Sequence, residues 1–542
     1  MVMHHFRRFG TMVDCSRGAV MTVDAVKKWI DITADLGYNT LMLYTEDTYE
    51  IEGHPYFGYL RGRYSQNELR DMDNYAASKG MELIPCIQTL AHMESIFRWQ
   101  TVYSDIQDCG DILLVGEEKT YELIDAMFAT LHKCFCSRIV NIGMDEAHML
   151  GRGKYQDIHG YKDRFDILLS HLQRVSEIAK KYDFELIMWG DMFFRLLQPS
   201  ILGDYYDSET VMPDKVSALI PDNVNLIYWD YYSRNQDRYD RNIRSHAAIK
   251  ENIWFAGGLW SWTGFVPHNR FSIDATRAAF HACIENGVKD VFLTIWGDDG
   301  AECSNFSLLP SLYYASEIAK GNNDMDRIKA GFEKKYGIRF DDFMLLDLVG
   351  TPHETYKISN PDRYMLFNDC FAGIFDSTIE EEGRAQTYTT CAEQLKALEN
   401  NEEFGYLFAT MSSLCDVLAI KYELGAQTRK AYHAKDMEAL KQITEKYSSL
   451  LVLLEHFYNC FRTQWFAENK PNGFELHDIR LGGLMQRIKH CRDRLNAYIA
   501  GDLDTISELN EPLLDAFGNG TEFERKARVH MSWATSAVVD VI

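Results

Sequence analysis

Ile139-Val140-Asn141-Ile142-Gly143-Met144-Asp145-Glu146-Ala147-His148 is an apolar run of strand length that climbs to a glycine and then presents two adjacent carboxylates. A strand buried in a parallel sheet reads as such a run, and the C-terminal end of the strand is where that kind of sheet displays chemistry. The stretch therefore predicts one α/β unit with a catalytic pair at its tip.

Working outward, the same unit repeats from Phe9 to about Tyr314: a short apolar or β-branched run, a polar turn, then a stretch with helical periodicity. The predicted strands are Thr11 to Asp14, Thr40 to Tyr44, Glu82 to Gln88, Ile139 to Met144, Glu185 to Trp189, Val224 to Trp229, Ile253 to Leu259 and Val291 to Trp296. Between them lie helical segments such as Val23 to Leu36, with Val26, Ile30 and Leu36 on its buried stripe, and Asn67 to Lys79. Ser65 and Glu68 form a capping box for the latter and Gly80 supplies its stop. Eight such units predict a (β/α)8 TIM barrel, a fold of about 250 residues or more with insertions. A doubly wound sheet is the competing architecture, but no Gly-rich phosphate loop follows the first strand.

In a barrel, residues at the strand C-termini line one pocket and should be polar and aromatic. Arg17 follows the first strand, Glu46 and Asp47 the second, His92 the third, and Asp145 with Glu146 the fourth. Trp189 and Asp191 follow the fifth, Trp229, Asp230 and Tyr231 the sixth, Trp260 and Trp262 the seventh, and Trp296, Asp298 and Asp299 the eighth. Five of the 10 Trp thus fall at these ends. Indoles alternating with carboxylates suit a sugar, whose C–H faces stack on aromatic rings while its hydroxyls pair with Asp, Glu and Arg.

After about Gly321 the texture turns helical, as in Glu402 to Leu424, Ala431 to Trp465 and Asp478 to Ile499, with Leu450 to Leu454 expected as central core. The expected division is a catalytic barrel over residues 1–320 and a mainly α-helical domain over 321–542. The polar loop Trp465 to Glu475 is either a surface turn or a cover for the barrel mouth, and Arg528 to Ile542 is left unassigned. Whether the helical domain pairs two copies into a homodimer is left open.

Composition narrows the partners. A chain of 542 residues, 46% hydrophobic and 25% charged, is long enough for two or three cores. Its net charge of -24 argues against nucleic acid or an anionic membrane surface and for a neutral or cationic ligand. Neither a secretory signal nor an apolar run of about 18 residues is seen, so a cytoplasmic location is expected. The 12 Cys are scattered with no C-x-x-C pair, as free, mostly buried thiols would be.

Asp145-Glu146-Ala147-His148 spells the DEAH of helicase ATPases, but no G-x-x-x-x-G-K-[ST] loop lies upstream. Asp145, Glu146, His148 and His92 are metal-ligating types, yet no H-x-H or H-E-x-x-H spacing is present and no metal or other cofactor is expected. Two carboxylates that flank a glycosidic bond stand about 5 Å apart for retention and further for inversion. Adjacent residues on a strand point to opposite faces, so this pair can share a pocket only where the strand ends. That placement suits a division of labour: one carboxylate protonates the leaving oxygen and the other orients a nucleophile within the substrate.

Asp14-x-x-Arg17, Thr89-Leu90-Ala91-His92, Gly143-Met144-Asp145-Glu146, Trp189 and Trp296-Gly297-Asp298 resemble the pattern of glycoside hydrolase family 20, the β-N-acetylhexosaminidases. The resemblance spans the whole predicted barrel. It is to a short form of the family, because the α+β domain that usually precedes the barrel is missing. It implies Glu146 as general acid, then base, and Asp145 as the group that holds the N–H of the substrate's 2-acetamido group while its carbonyl oxygen attacks C1. Tyr231 would aim that carbonyl, and Trp189, Trp229 and Trp260 would wall the acetamido methyl. Arg17 would bind the 3- and 4-hydroxyls and Trp296 would form the floor. Asp298 would take the 4- and 6-hydroxyls, although the family has Glu there, and Glu302 is the alternative. His92 is either a substrate contact or a structural partner, and His148 and Asp230 would stand behind the site. The implied activity is exo-acting, retaining removal of terminal β-linked GlcNAc or GalNAc from a small glycan or glycoconjugate. Two alternatives stay open: a conventional double displacement pairing Glu146 with a distant carboxylate such as Asp298, and a sugar-binding protein without catalysis.

Overall fold

Eight parallel strands close on themselves in chain order: β1 (Arg8–Asp14), β2 (Thr40–Tyr44), β3 (Glu82–Cys86), β4 (Ile139–Asn141), β5 (Glu185–Trp189), β6 (Val224–Trp229), β7 (Trp254–Gly258) and β8 (Asp290–Ile295), with β8 pairing back onto β1. This computed structural model describes residues 5–197, 205, 214–298, 300–350, 360–379 and 383–514. Asp299 and the unassigned stretch Arg528 to Ile542 lie outside the described residues.

The expected strands are all present, with shifts at their ends. β1 starts three residues before Thr11, because Arg8 to Gly10 pair with β8 and Gly10 also pairs with Thr40 of β2. Only a glycine fits there: a Cβ on Gly10 would lie 2.7 Å from the Thr40 carbonyl oxygen. β4 is the shortest, and a single residue pair, Cys86 with Asn141, joins it to β3. Its backbone leaves the extended region at Gly143 and Met144, whose φ angles are 71° and 67°.

Among the described residues, helices of more than ten residues that accompany the strands are α1 (Val23–Leu36), α2 (Gln66–Ser78), α3 (Glu118–Cys134), α4 (Arg164–Lys180), α5 (Gln236–Ala247), α6 (Asn269–Glu285) and α7 (Leu309–Ala319). α1 buries Val26, Ile30 and Leu36 as its periodicity predicts, together with Trp29, whose Nε1 donates to Thr11 Oγ1 at 3.0 Å. The capping box of α2 is formed, with Ser65 Oγ accepting from Glu68 N at 3.2 Å and Glu68 Oε2 accepting from Ser65 N at 2.7 Å. Between β5 and β6 the described residues hold only the short helices Asp191–Arg195 and Asp214–Leu219.

The chain divides into two compact units that interleave in sequence. The first comprises residues 1–260, 271–296 and 311–328, and holds all eight strands. The second comprises residues 261–270, 297–310 and 329–542. It is mainly helical, with α8 (Gly405–Ala434), α9 (Met437–Glu468) and α10 (Glu475–Ala500) as its longest members. The stretches that follow β7 and β8 therefore belong to the helical unit, where one boundary near residue 320 was expected.

α8 runs ten residues past its expected end, through Gly425, whose missing Cβ leaves room for the Asp376 carboxylate. It stops where Lys435 turns left-handed at φ 54°, and Asp436 then caps α9 by accepting from Ala439 N at 3.0 Å. Of the run Leu450 to Leu454, Leu450 and Leu454 are buried but Val452 is 70% exposed, because a surface helix buries one stripe and not five consecutive residues. Within Trp465 to Glu475, Trp465 Nε1 donates to Lys470 O at 3.0 Å, and Phe474 packs on Phe461 and Trp465. The loop is thus pinned to its own helices. Among the described residues, no helix is long and apolar enough to cross a membrane.

Candidate active site

The site is assembled at the end of β4, where three residues with left-handed φ values turn two carboxylates out of an otherwise apolar strand. Gly143, Met144 and Glu146 have φ of 71°, 67° and 53°. Two of these are not glycine, a conformation that costs of order 1–3 kcal/mol each and persists only where surroundings enforce it. The enforcing groups are visible. Met144 N donates to Gln88 Oε1 at 3.2 Å, Gly143 N donates to Asn141 Oδ1 at 3.0 Å, and Glu146 N donates to Asp191 Oδ2 at 3.1 Å. Gly143 has no substitute, since a Cβ there would lie 1.9 Å from Gln88 Oε1.

Asp145 is buried and doubly held. Gln88 Nε2 donates to its Oδ1 at 2.7 Å, and His92 Nε2 stands 3.2 Å from its Oδ2. Burial pulls the carboxyl upward, but the facing His92 charge and the donors from His92 and Gln88 outweigh it, leaving Asp145 below the ordinary aspartate value. For His92, burial works downward, and the Asp145 and Glu46 charges overcome it, so the imidazole is pushed up to about 10. His92 itself adopts φ 57°, with its backbone N–H donating to Asp111 Oδ2 at 2.8 Å. The result is a buried Asp145 carboxylate facing an imidazolium at neutral pH.

Glu146 is half-buried. Tyr205 donates its hydroxyl to Glu146 Oε1 at 2.5 Å, and Glu146 Oε2 lies 3.8 Å from His92 Nε2. Nothing in the residue pattern around Tyr205 marked it: the sequence offers only a polar stretch between β5 and β6 with no helical or strand period. Its ring lies against Trp229, with centroids 4.7 Å apart, and under the Arg195 guanidinium. Asp191 was noted only as a strand-end residue, yet it carries two donors. Besides Glu146 N it accepts from Trp229 Nε1 at 3.3 Å through Oδ1.

The aromatic residues form a continuous series. Tyr44 packs edge-on against Trp296 at 4.8 Å between centroids, and Trp296 lies 6.1 Å from Trp189 and 6.5 Å from Tyr231. Tyr231 stacks on Trp229 at 5.1 Å. Trp260 donates from Nε1 to the Tyr231 carbonyl at 2.7 Å and so braces the same group. Trp189 is fully buried, and its Nε1 has no acceptor among the described residues. Arg17 forms an ion pair with Glu46 at 2.9 Å and approaches Asp14 at 4.0 Å. Glu46 in turn lies 4.0 Å from His92 Nδ1, so Arg17, Glu46, His92 and Asp145 make one chain of alternating charge. Burial raises the Glu46 carboxyl, against the pull of Arg17 and His92.

Asp298 and Glu302 belong to the second unit. Asp298 is exposed. Glu302 is buried there between Arg363, 3.0 Å from its Oε2, and Arg480, 3.1 Å from its Oε1. His148 N donates to the Glu146 carbonyl, and Asp230 pairs with Arg238 at 2.9 Å.

His92, Asp145 and Glu146 each offer a ligand atom within 4.8 Å of the others, a spacing one cation could bridge. Binding one there would release the His92 proton, because an imidazolium cannot ligate.

Two family models match the chain: the glycosyl hydrolase family 20 catalytic domain over residues 4–238, and the glycoside hydrolase 20C C-terminal domain over residues 341–528. Hexosaminidase D of Bos taurus is 22% identical over 254 residues, which take in 45% of this chain and 68% of the bovine protein. Hexosaminidase D of Homo sapiens is 24% identical over 226 residues, 40% of this chain and 43% of the human protein. Among solved structures, the β-N-acetylhexosaminidase of Bacteroides fragilis covers 62% of this chain and 71% of its own at 18% identity and a TM-score of 0.45. The exo β-N-acetylglucosaminidase of Vibrio harveyi covers 64% and 59% at 14% identity and the same TM-score.

Proposed function

Because the chain belongs to glycoside hydrolase family 20, with both its catalytic and its C-terminal models matched, we propose that it is an exo-acting, retaining β-N-acetylhexosaminidase that works through a nucleophile supplied by its substrate. The observation that carries this reading is the state of Asp145. It is buried and charged, and faced by His92 and Gln88 in a way that keeps it ionised. Such a group is a poor proton donor but a good counter-charge for a cation that grows during reaction. The proton work then falls to its neighbour Glu146, whose carboxyl group has one oxygen held by Tyr205.

In this scheme Asp145 accepts the N–H of the 2-acetamido group and turns its carbonyl oxygen toward C1. That oxygen attacks C1 as Glu146 protonates the leaving oxygen, giving a cyclic oxazolinium whose charge Asp145 balances. Glu146, now a carboxylate, takes a proton from water as the water reopens the ring at C1, which restores the starting configuration. The aromatic series from Tyr44 to Tyr205 supplies faces for the sugar and for the acetamido methyl. Terminal β-linked GlcNAc or GalNAc is the substrate class this fits. Glu146→Gln should lower turnover of a phenyl β-N-acetylglucosaminide about 100- to 10,000-fold; steady-state rates on the purified protein check this, and an undiminished variant would exclude the assignment.

A further inference from the structure

Asp191 is a third carboxylate beside Asp145 and Glu146. It is the first residue of the short helix Asp191–Arg195 that follows β5, and its side chain is fully buried. No Lys or Arg pairs with it among the described residues. Its two oxygens are instead divided between Glu146 N, at 3.1 Å, and Trp229 Nε1, at 3.3 Å. Burying a carboxylate against two neutral donors and no cation is costly, and the neighbouring Asp145 and Glu146 charges add to the cost; burial and those charges push Asp191 up to about 7. Packing alone does not need such a group, since an apolar residue would fill the space at lower cost.

The arrangement does perform one task. Glu146 sits at φ 53°, outside any strand hydrogen-bond ladder, so its N–H has no strand partner, and Asp191 provides one. The same carboxylate fixes the ring of Trp229, on which both Tyr205 and Tyr231 pack. Tyr205 in turn holds Glu146 Oε1. A closed circuit results: Asp191 to the Glu146 backbone, the Glu146 carboxylate to Tyr205, Tyr205 to Trp229, and Trp229 back to Asp191.

Resting on the activity proposed above, we infer that Asp191 is a positioning residue for proton transfer, which sets the Glu146 carboxyl in register with the aromatic wall so that it meets the leaving oxygen and not the ring. Asp191 touches no reacting atom in this role. Its effect is felt only to the extent that a substrate needs its leaving group protonated.

That dependence supplies the test. kcat/KM is measured for wild type, Asp191→Asn and Asp191→Ala on aryl β-N-acetylglucosaminides running from dinitrophenyl to unsubstituted phenyl, with thermal midpoints recorded for each protein. Asp191→Ala should lose about 10- to 100-fold on the phenyl substrate and less than about threefold on the dinitrophenyl one, whose leaving group departs without a proton. Asp191→Asn, which keeps one acceptor oxygen, should fall between. It also carries the test alone if the alanine variant does not fold. Equal losses along the series, or no loss in a folded variant, would overturn the inference while leaving the activity intact. A wild-type protein inactive on every member would overturn the proposed activity and the inference with it.

Discussion

His92 and Asp145 hold each other's charge in a buried setting, and that has a measurable pH signature. The folded-state value of His92, about 10, lies above the roughly 6.5 of an unfolded chain. Its contribution to stability is therefore fully present below about pH 6.5 and is lost as pH rises towards 10. The difference in thermal midpoint between wild type and His92→Gln should shrink steadily across that interval, and a difference independent of pH would show that the imidazole is not charged in the fold. Tyr205→Phe removes one hydrogen bond to a carboxylate, worth about 1.5–3 kcal/mol, so kcat on a phenyl β-N-acetylglucosaminide should drop roughly 10- to 100-fold. An unaltered kcat would mean that Tyr205 leaves Glu146 in the reacting complex. At this scale, sequence spacing pointed to Asp145, Glu146 and His92, because each stands directly behind a readable strand. Tyr205 was invisible for the opposite reason: its position depends on a long connection whose path no periodicity encodes.

The strands were legible because a parallel barrel buries both of their faces and leaves only apolar runs. Their ends were less so, since Gly10 and Gly143 act through close approaches that only the folded backbone creates. β4 shows the limit. Its expected six residues shrink to three because Gly143 and Met144 leave the strand to aim the carboxylates. Gly143→Ala should therefore be harmful twice over, with a clash against Gln88 costing about 1–3 kcal/mol of stability and a displaced Asp145 lowering activity well beyond what the loss of stability explains. Thermal denaturation with turnover at a temperature where the variant stays folded would check this, and a variant with wild-type values for both would show that the turn is not strained. The helical elements differ in a related way: the stretch expected to end at Leu424 runs on through Gly425, which accommodates Asp376, and stops at Lys435.

For the molecule as a whole, the change of texture near residue 320 marked the arrival of helices but not the division into units. The stretches after β7 and β8 join the helical unit, a consequence of partners such as Arg363 and Arg480 for Glu302 that lie far away in sequence. Asp298 and Glu302 therefore fall in a different unit from the other expected site residues, a division that strand order alone does not reveal. The central claim concerns the reaction of the entire chain: the attacking group comes from the substrate's own 2-acetamido arm. Turnover of a phenyl β-N-acetylglucosaminide compared with the matching β-glucoside, which differs only in lacking that arm, tests it most directly. The account predicts that the glucoside is slower by about a thousandfold or more, the loss of an intramolecular nucleophile; comparable rates on the two substrates would contradict it.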